Sequence, residues 1–132
     1  MLYFLHWLVA LFTRTRFSTK KPRQGQFDIY QDRANAYRFR LKAAKGEIIL
    51  LSEGYTAKAS AKKGIASVKT HARFDHCYER KNAKGNRPMF NLKAANHEVI
   101  GTSEQYDSNA ERDQCITWVK RYAPCAEIVD LA

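Results

Sequence analysis

The stretch RFRLKAAKGEIILLSEGYTAKAS, beginning at Arg38, returns 51 residues later as MFNLKAANHEVIGTSEQYDSNAE, beginning at Met89. Aligned without a gap from Arg38 to Ala72, 15 of the 35 residue pairs are identical, among them Leu41/Leu92, Glu53/Glu104, Tyr55/Tyr106 and Val68/Val119. This is an internal duplication of a unit of about 50 residues. A unit that small buries too little apolar surface to be reliably stable alone, whereas two units can share one core. The chain is therefore expected to fold as one duplicated domain with pseudo-two-fold symmetry. Upstream of the ungapped block, FDIY (Phe27–Tyr30) is matched with FDHCY (Phe74–Tyr78) by allowing a longer loop in the second copy.

The periodicity within each copy predicts an α+β fold, a tandem duplication of a β-β-β-α unit. Tyr37, Phe39, Leu41 and Ala43 alternate with Arg38, Arg40 and Lys42, the period of a half-buried strand. The third strands read EIILLS and EVIGTS, and the first strands FDIYQ and CYERK. Between the second and third strands, KGE and NHE sit where a two-residue hairpin turn belongs, with Gly46 and Asn96 able to take positive φ. DRANA and NAKGNRP have loop compositions. Beyond SEGYT and SEQYD the period becomes helical. Ala61, Ile65, Val68 and Ala72 form a core stripe, as do Cys115, Ile116, Val119, Tyr122 and Ala123. Thr56 is the expected N-cap of the first helix, Ser108 with Glu111 a capping box for the second, and Pro124 its stop. The expected organisation is an extension and linker over 1–25 and a duplicated domain over 26–132. Copy one is 27–73, copy two 74–123, and a short tail runs over 124–132.

The formal net charge of +10 points to anionic partners: nucleic acid, an anionic membrane surface or an acidic protein. It is unevenly spread. Residues 1–26 carry +5, residues 27–73 carry +6 and residues 74–132 carry −1. Cys77, Cys115 and Cys125 are an odd number without CxxC spacing, which argues against a disulfide framework or a zinc site and for a reducing compartment. The extension opens with MLYFLHWLVALF, apolar except for His6 and too short to span a bilayer, which takes about 20 residues. Its basic residues follow the apolar run, contrary to a secretory signal. Three readings of residues 1–12 stand: a membrane-surface segment, a segment packed on the domain or a partner, or translation from an upstream start.

RLKAAKGEIILLSEGYTAKASAKKGIASVK and NLKAANHEVIGTSEQYDSNAERDQCITWVK resemble the two copies of the YegP-like family of small bacterial proteins. The shared pattern runs LKAxNGExI, SExY, then a helix ending GIxSVK, and covers about residues 26–123. The resemblance implies the duplicated β-β-β-α architecture and a bacterial, cytoplasmic setting. It implies no activity, cofactor or catalytic residue. Lys45 stands where the pattern has Asn, His97 where it has Gly, and Cys115-Ile116-Thr117-Trp118 where it has GIxS.

Two residue sets are candidate sites. Ser52, Glu53 and Tyr55, repeated as Ser103, Glu104 and Tyr106, combine a hydroxyl, a carboxylate and a phenol just before each helix. They could bind a small polar ligand or act in proton transfer; the favoured reading is that they fix the strand-to-helix corner, the carboxylate and hydroxyl satisfying free helix N–H groups and Tyr packing as a lid. Arg38, Arg40 and Lys42 on the second strand, with Lys58, Lys62, Lys63 and Lys69 on the first helix, could track a phosphate backbone or form a solvated face. His71, Asp75, His76 and Cys77 in HARFDHC match no metal-ligand spacing, so no metal and no cofactor is expected. Without a phosphate loop or a catalytic triad, the expected function is a non-enzymatic binding or self-association domain, a homo-oligomer being one form of it. The alternative is an electrostatic binder of nucleic acid or an anionic surface through the tail and the first copy.

Overall fold

In the computed structural model of the protein, residues 24–132 are described. The extension, with its proposed membrane-surface segment over residues 1–12, lies outside them apart from its last residues.

Seven strands form one mixed sheet: β1 (Gly25–Gln31), β2 (Tyr37–Ala43), β3 (Ile48–Leu51), β4 (Tyr78–Ala83), β5 (Arg87–Lys93), β6 (Val99–Ser103) and β7 (Glu127–Asp130). Their order across the sheet is β4-β5-β6-β3-β2-β1-β7. Helix α1 (Lys58–His71) follows β3 and helix α2 (Asn109–Tyr122) follows β6. All neighbours pair antiparallel except β7, which lies parallel to β1. The copies meet where β3 and β6 pair through only Leu50↔Ser103 and Leu51↔Thr102. That seam is short, yet α1 also packs against β5 and β6 of the second copy, so the core is shared.

Strand alternation turns Phe27, Ile29, Phe39, Leu41, Phe90 and Leu92 toward the helices, where Ile65, Val68, Ile116 and Val119 meet them; all are buried. The stripe expected on the first helix, Ala61, Ile65, Val68 and Ala72, is fully buried. On α2, Cys115 and Tyr122 are half-buried, and Arg112 stands buried at the position of Ala61. Arg112 keeps its charge paired, its Nε donating to Asp113 at 3.1 Å.

Several local expectations are corrected. The first helix begins at Lys58, so its N-cap falls on Ala57, which has no side-chain oxygen; Thr56 does not cap it. The second helix has the Ser108 cap, with Oγ accepting from the Glu111 N–H at 3.1 Å, while Glu111 reaches back to the Asp107 N–H at 3.3 Å. Positive φ falls on Gly46 (91°) and on its repeat equivalent His97 (69°), not on Asn96. Asn96 instead accepts the Glu98 N–H through its side chain. Much of NAKGNRP is sheet: Ala83 pairs with Arg87 around a single turn of 3-10 helix at Lys84–Asn86. The segment taken as a tail contains β7.

The match of FDIY with FDHCY is also corrected. Phe27 faces Leu41, and Tyr78, not Phe74, faces Leu92. The offset of 51 thus holds through the first strands, and Phe74–Cys77 is a connecting turn. One consequence concerns the sheet edges. Ile29 of β1 is buried beside β7, whereas its equivalent Arg80 lies on the open edge strand β4. Arg80 is bonded to Asp75 and Asp113. A charged residue at that place protects an exposed strand from further pairing.

Leu50 and Gly101 occupy the same place in the two copies but differ in size for a packing reason. A Cβ on Gly101 would lie 3.3 Å from both Leu50 methyl carbons. Close to the seam, one large residue fills the space that the glycine leaves. Gly101→Leu should therefore destabilise the protein by about 1–3 kcal/mol through overpacking. Leu50→Ala should cost about 2–5 kcal/mol through cavity formation. The double variant should be more stable than the sum of the two losses implies by at least about 0.5 kcal/mol, read from denaturant midpoints. Strict additivity would refute this complementarity.

Candidate functional site

The repeated Ser-Glu-Tyr segments sit where β3 and β6 end and the chain turns toward a helix. Ser52 Oγ accepts the Phe39 N–H at 2.8 Å and donates to the Glu53 carbonyl at 2.8 Å. Ser103 Oγ accepts the Phe90 N–H at 2.9 Å and donates to the Glu104 carbonyl at 2.7 Å. Each hydroxyl thus takes a backbone N–H of the neighbouring second strand at the very end of the ladder. The tyrosines are anchored in the same way. Tyr55 exchanges two backbone bonds with Tyr37, at 2.8 and 2.7 Å. Tyr106 donates its N–H to Pro88, which stands at the place of Tyr37 and has no N–H to return.

Both phenols point inward, onto the helices. A Cβ on Gly64 would lie 2.9 Å from the Tyr55 hydroxyl and 2.7 Å from the Phe39 ring, so the first helix needs glycine there. In the second copy Cys115 occupies that place and accepts the Tyr106 hydroxyl at 2.9 Å. Burial raises the pKa of both phenols, and the hydroxyl's bond to Cys115 adds to the rise at Tyr106. Tyr106 is a packed donor to Cys115, and the Tyr55 ring packs over Gly64. A shallow hollow of about 240 Å³ at the seam brings together Ser52, Glu53 and Ser103 with Leu51, Val99, Gly101 and Thr102. Glu104 is exposed outside that lining, and Tyr55 and Tyr106 face the helices, so the six residues do not converge.

The basic candidates divide between two surfaces. Arg40 and Lys42 lie on the helix-free face of the sheet and reach Asp28 at 3.0 and 2.9 Å. Arg38 bonds Asp32 at 2.7 Å and the Ser52 carbonyl at 3.0 Å. Lys58 holds Asp130 and the Ala132 carbonyl, and Lys69 the Ala126 carbonyl at 2.7 Å, so both fasten the β7 segment to α1. Lys62 and Lys63 make no hydrogen bond or ion pair among the described residues and are exposed.

Two carboxylates missed in the sequence organise the helix-free face. Asp28 is fully buried there beneath Gln26, Arg40 and Lys42. At the same place in copy two, Glu79 takes bonds from Asn91 at 3.0 Å and Lys93 at 2.9 Å. Asp28, Arg40, Leu51, Thr102, Asn91 and Glu79 are successive cross-strand partners, one row across six strands. The ungapped offset of 51 would have found Glu79; the match to FDHCY hid it.

Burial by itself raises the Asp28 carboxyl, but hydrogen bonds from Gln26, Lys42 and Arg40 and the Lys42 charge more than offset it, leaving the pKa below its ordinary value. Hydrogen bonds from Asn91 and Lys93 lower Glu79 in the same way. In the connecting turn, Arg80 and Lys120 bring Asp75 from 3.8 down to about 2. Groups depressed on folding contribute stability above their unfolded pKa and lose it as pH falls through the folded one. The melting temperature should therefore fall as pH drops from about 4 toward about 2. Arg80→Ala should flatten that fall. An acid limb identical in wild type and variant would show that Asp75 contributes nothing to it.

HARFDHC is tied into the fold as well. His71 Nδ1 lies 2.8 Å from the Ser67 carbonyl, and Nε2 accepts the Ala95 N–H at 3.2 Å, which joins α1 to the hairpin of the second copy. Cys77 is buried, Cys115 half-buried and Cys125 exposed, and all three are free thiols. Among the described residues no group of three or more His, Cys, Asp and Glu is arranged to hold a metal ion, and no helix is long and apolar enough to cross a membrane.

Two like halves on one mixed sheet, with most of their polar groups turned to holding it together, define a duplicated α+β protein. Comparison with known proteins agrees. The model of the domain of unknown function DUF1508 matches twice, over residues 32–79 and 83–130, again offset by 51. The UPF0339 protein in the ptx operon 5′ region of Stutzerimonas stutzeri is 50% identical over 107 residues, 81% of this chain and 96% of that protein. The UPF0339 protein YegP of Escherichia coli K12 is 47% identical over 96 residues, 73% of this chain and 87% of that protein. The solution NMR structure of E. coli YegP, a protein of unknown function, superposes with a TM-score of 0.79 at 41% identity, covering 85% of this chain and 97% of that one. The Shewanella oneidensis UPF0339 structure gives 0.77 at 42% identity, covering 82% and 92%. The chain belongs to this YegP-like family, with two copies of its domain.

Proposed function

We propose that the chain is a small, non-enzymatic binding or self-association domain of the bacterial cytoplasm, built from two β-β-β-α units related by a pseudo-two-fold axis between β3 and β6. The observation that carries this reading is the use of the repeated polar groups. Ser52 and Ser103 bond the backbone, and Tyr106 is buried against Cys115. Burial raises the pKa of the Cys115 thiol, and among the described residues no base is hydrogen-bonded to it, so the repeated motif supports the corner rather than a reaction. The equivalent pairings Phe27↔Leu41 and Tyr78↔Leu92 support the two-unit description. Screening small polar ligands for a rise in melting temperature tests the reading. A ligand that stabilises wild type but not Glu53→Gln would place a small-molecule site at the seam and overturn the corner role of the repeat, whereas turnover of any such ligand would overturn the non-enzymatic reading.

A second reading, electrostatic binding of nucleic acid or an anionic surface, is favoured by the exposed Lys62 and Lys63, which make no hydrogen bond or ion pair among the described residues, on a first copy that carries +6. Retention on heparin and on mixed-sequence duplex DNA should then fall steeply with salt. Salt-independent retention, or none, excludes it.

A further inference from the structure

The connecting turn HARFDHC, which the fold uses only in part, borders a hollow of about 420 Å³ between the end of α1 and the 3-10 turn at Ala123–Cys125. Lys69, Thr70, Arg73, Phe74 and Pro124 line it. Phe74 is one of few large apolar side chains left in solvent among the described residues, 45% exposed. Its ring has the His76 ring beside it, centroids 5.7 Å apart and tilted 39°. Arg73 is exposed and makes no hydrogen bond or ion pair among the described residues. The two nearest features that would repel an anion are both answered. The Asp75 carboxylate is held by Arg80 at 2.9 Å and Lys120 at 2.7 Å, and the negative C-terminal pole of α1 carries Lys69 in its last turn with Arg73 just beyond.

An exposed aromatic ring beside a free guanidinium, around an open hollow, suits a ligand with a flat π-face and a nearby phosphate. Single-stranded nucleic acid has both, and such strands are bound by stacking platforms set in positive grooves. A duplex hides its base faces and cannot use the ring. Resting on the second reading above, we infer that the Arg73–Phe74 hollow binds single-stranded nucleic acid, Phe74 and His76 stacking on a base and Arg73 meeting the backbone phosphate. The strand bases Arg38, Arg40 and Lys42 take no direct part, being held by Asp28 and Asp32.

Fluorescence anisotropy of a labelled oligothymidylate tests this with the full chain. Phe74→Ala should weaken binding about 5- to 140-fold, the range for losing one base–aromatic stack, and Phe74→Trp should restore it. Arg73→Ala should weaken binding and lower the salt slope by about one. Both side chains are exposed, so the melting temperatures should stay close to that of wild type, and a duplex of equal length should be indifferent to Phe74. If Phe74→Ala and Arg73→Ala bind like wild type while Lys62→Ala/Lys63→Ala does not, the hollow is refuted and general electrostatic binding stands. If wild type binds neither oligothymidylate, duplex nor phosphatidylserine vesicles, both are refuted. Phe74-dependent binding to phosphatidylserine vesicles without oligothymidylate binding would overturn the nucleic-acid assignment.

Discussion

Leu41→Ala and Leu92→Ala should each lower the unfolding free energy by about 2–5 kcal/mol. Both leucines are fully buried. Leu41 lies between Phe27 and Leu50 on the neighbouring strands, and Leu92 between Tyr78 and Gly101. Truncation removes apolar atoms from a filled space, and the loss grows with the cavity that remains. In a domain of this size the fall in melting temperature should be on the order of 10–20 °C. Urea midpoints with unchanged slopes would assign the effect to the folded state. Stability equal to wild type in both variants would mean that these side chains are not packed as described.

Residues 26–73 expressed alone should give an unfolded or oligomerised fragment. That fragment holds β1, β2, β3 and α1 but loses both outer neighbours, β6 beside β3 and β7 beside β1. Two bare strand edges result, and Ile29 and Phe27 lose their cover on one side. Helix α1 also loses its contacts with β5 and β6. A sheet of three strands with one helix is left to balance the entropy of ordering, which small cores do poorly. In the intact chain the two halves should unfold in one transition. Dispersed amide resonances from a monomeric fragment would refute the shared core.

Much of this architecture was legible because both periods are written twice. Phe39, Leu41, Phe90 and Leu92 alternate in strands, Ile65 and Val68 recur on a helix, and each assignment in one copy supports its partner. What stayed hidden depends on partners distant in sequence. Glu127–Asp130 is short and flanked by charges, and it becomes a strand only because β1 offers it an open edge. Asp28 is a polar residue on the solvent side of a strand by alternation, and its burial comes from Gln26, Arg40 and Lys42 closing over it. The Ser-Glu-Tyr repeat was identifiable as special, but residue types alone do not tell a ligand site from a corner. The bonds of Ser52 and Ser103 to backbone groups of the neighbouring strand become visible only once the strands are paired. His97 was missed at positive φ because composition favoured Asn96, while the turn geometry places that conformation one residue later.

The parallel pairing of β1 with β7 also sets how the domain would respond to tension. The extension joins at the Gly25 end of β1, and the chain leaves β7 at its Asp130 end. With Gln26 beside Glu127 and Ile29 beside Asp130, a pull on the two flanks draws the strands lengthwise past each other. Every bond of that pair, and the Lys58 and Lys69 ties to the same segment, then bears load together rather than opening one after another. Such shear geometry resists extension far better than peeling does, so the strand that closes the sheet is also a mechanical clamp.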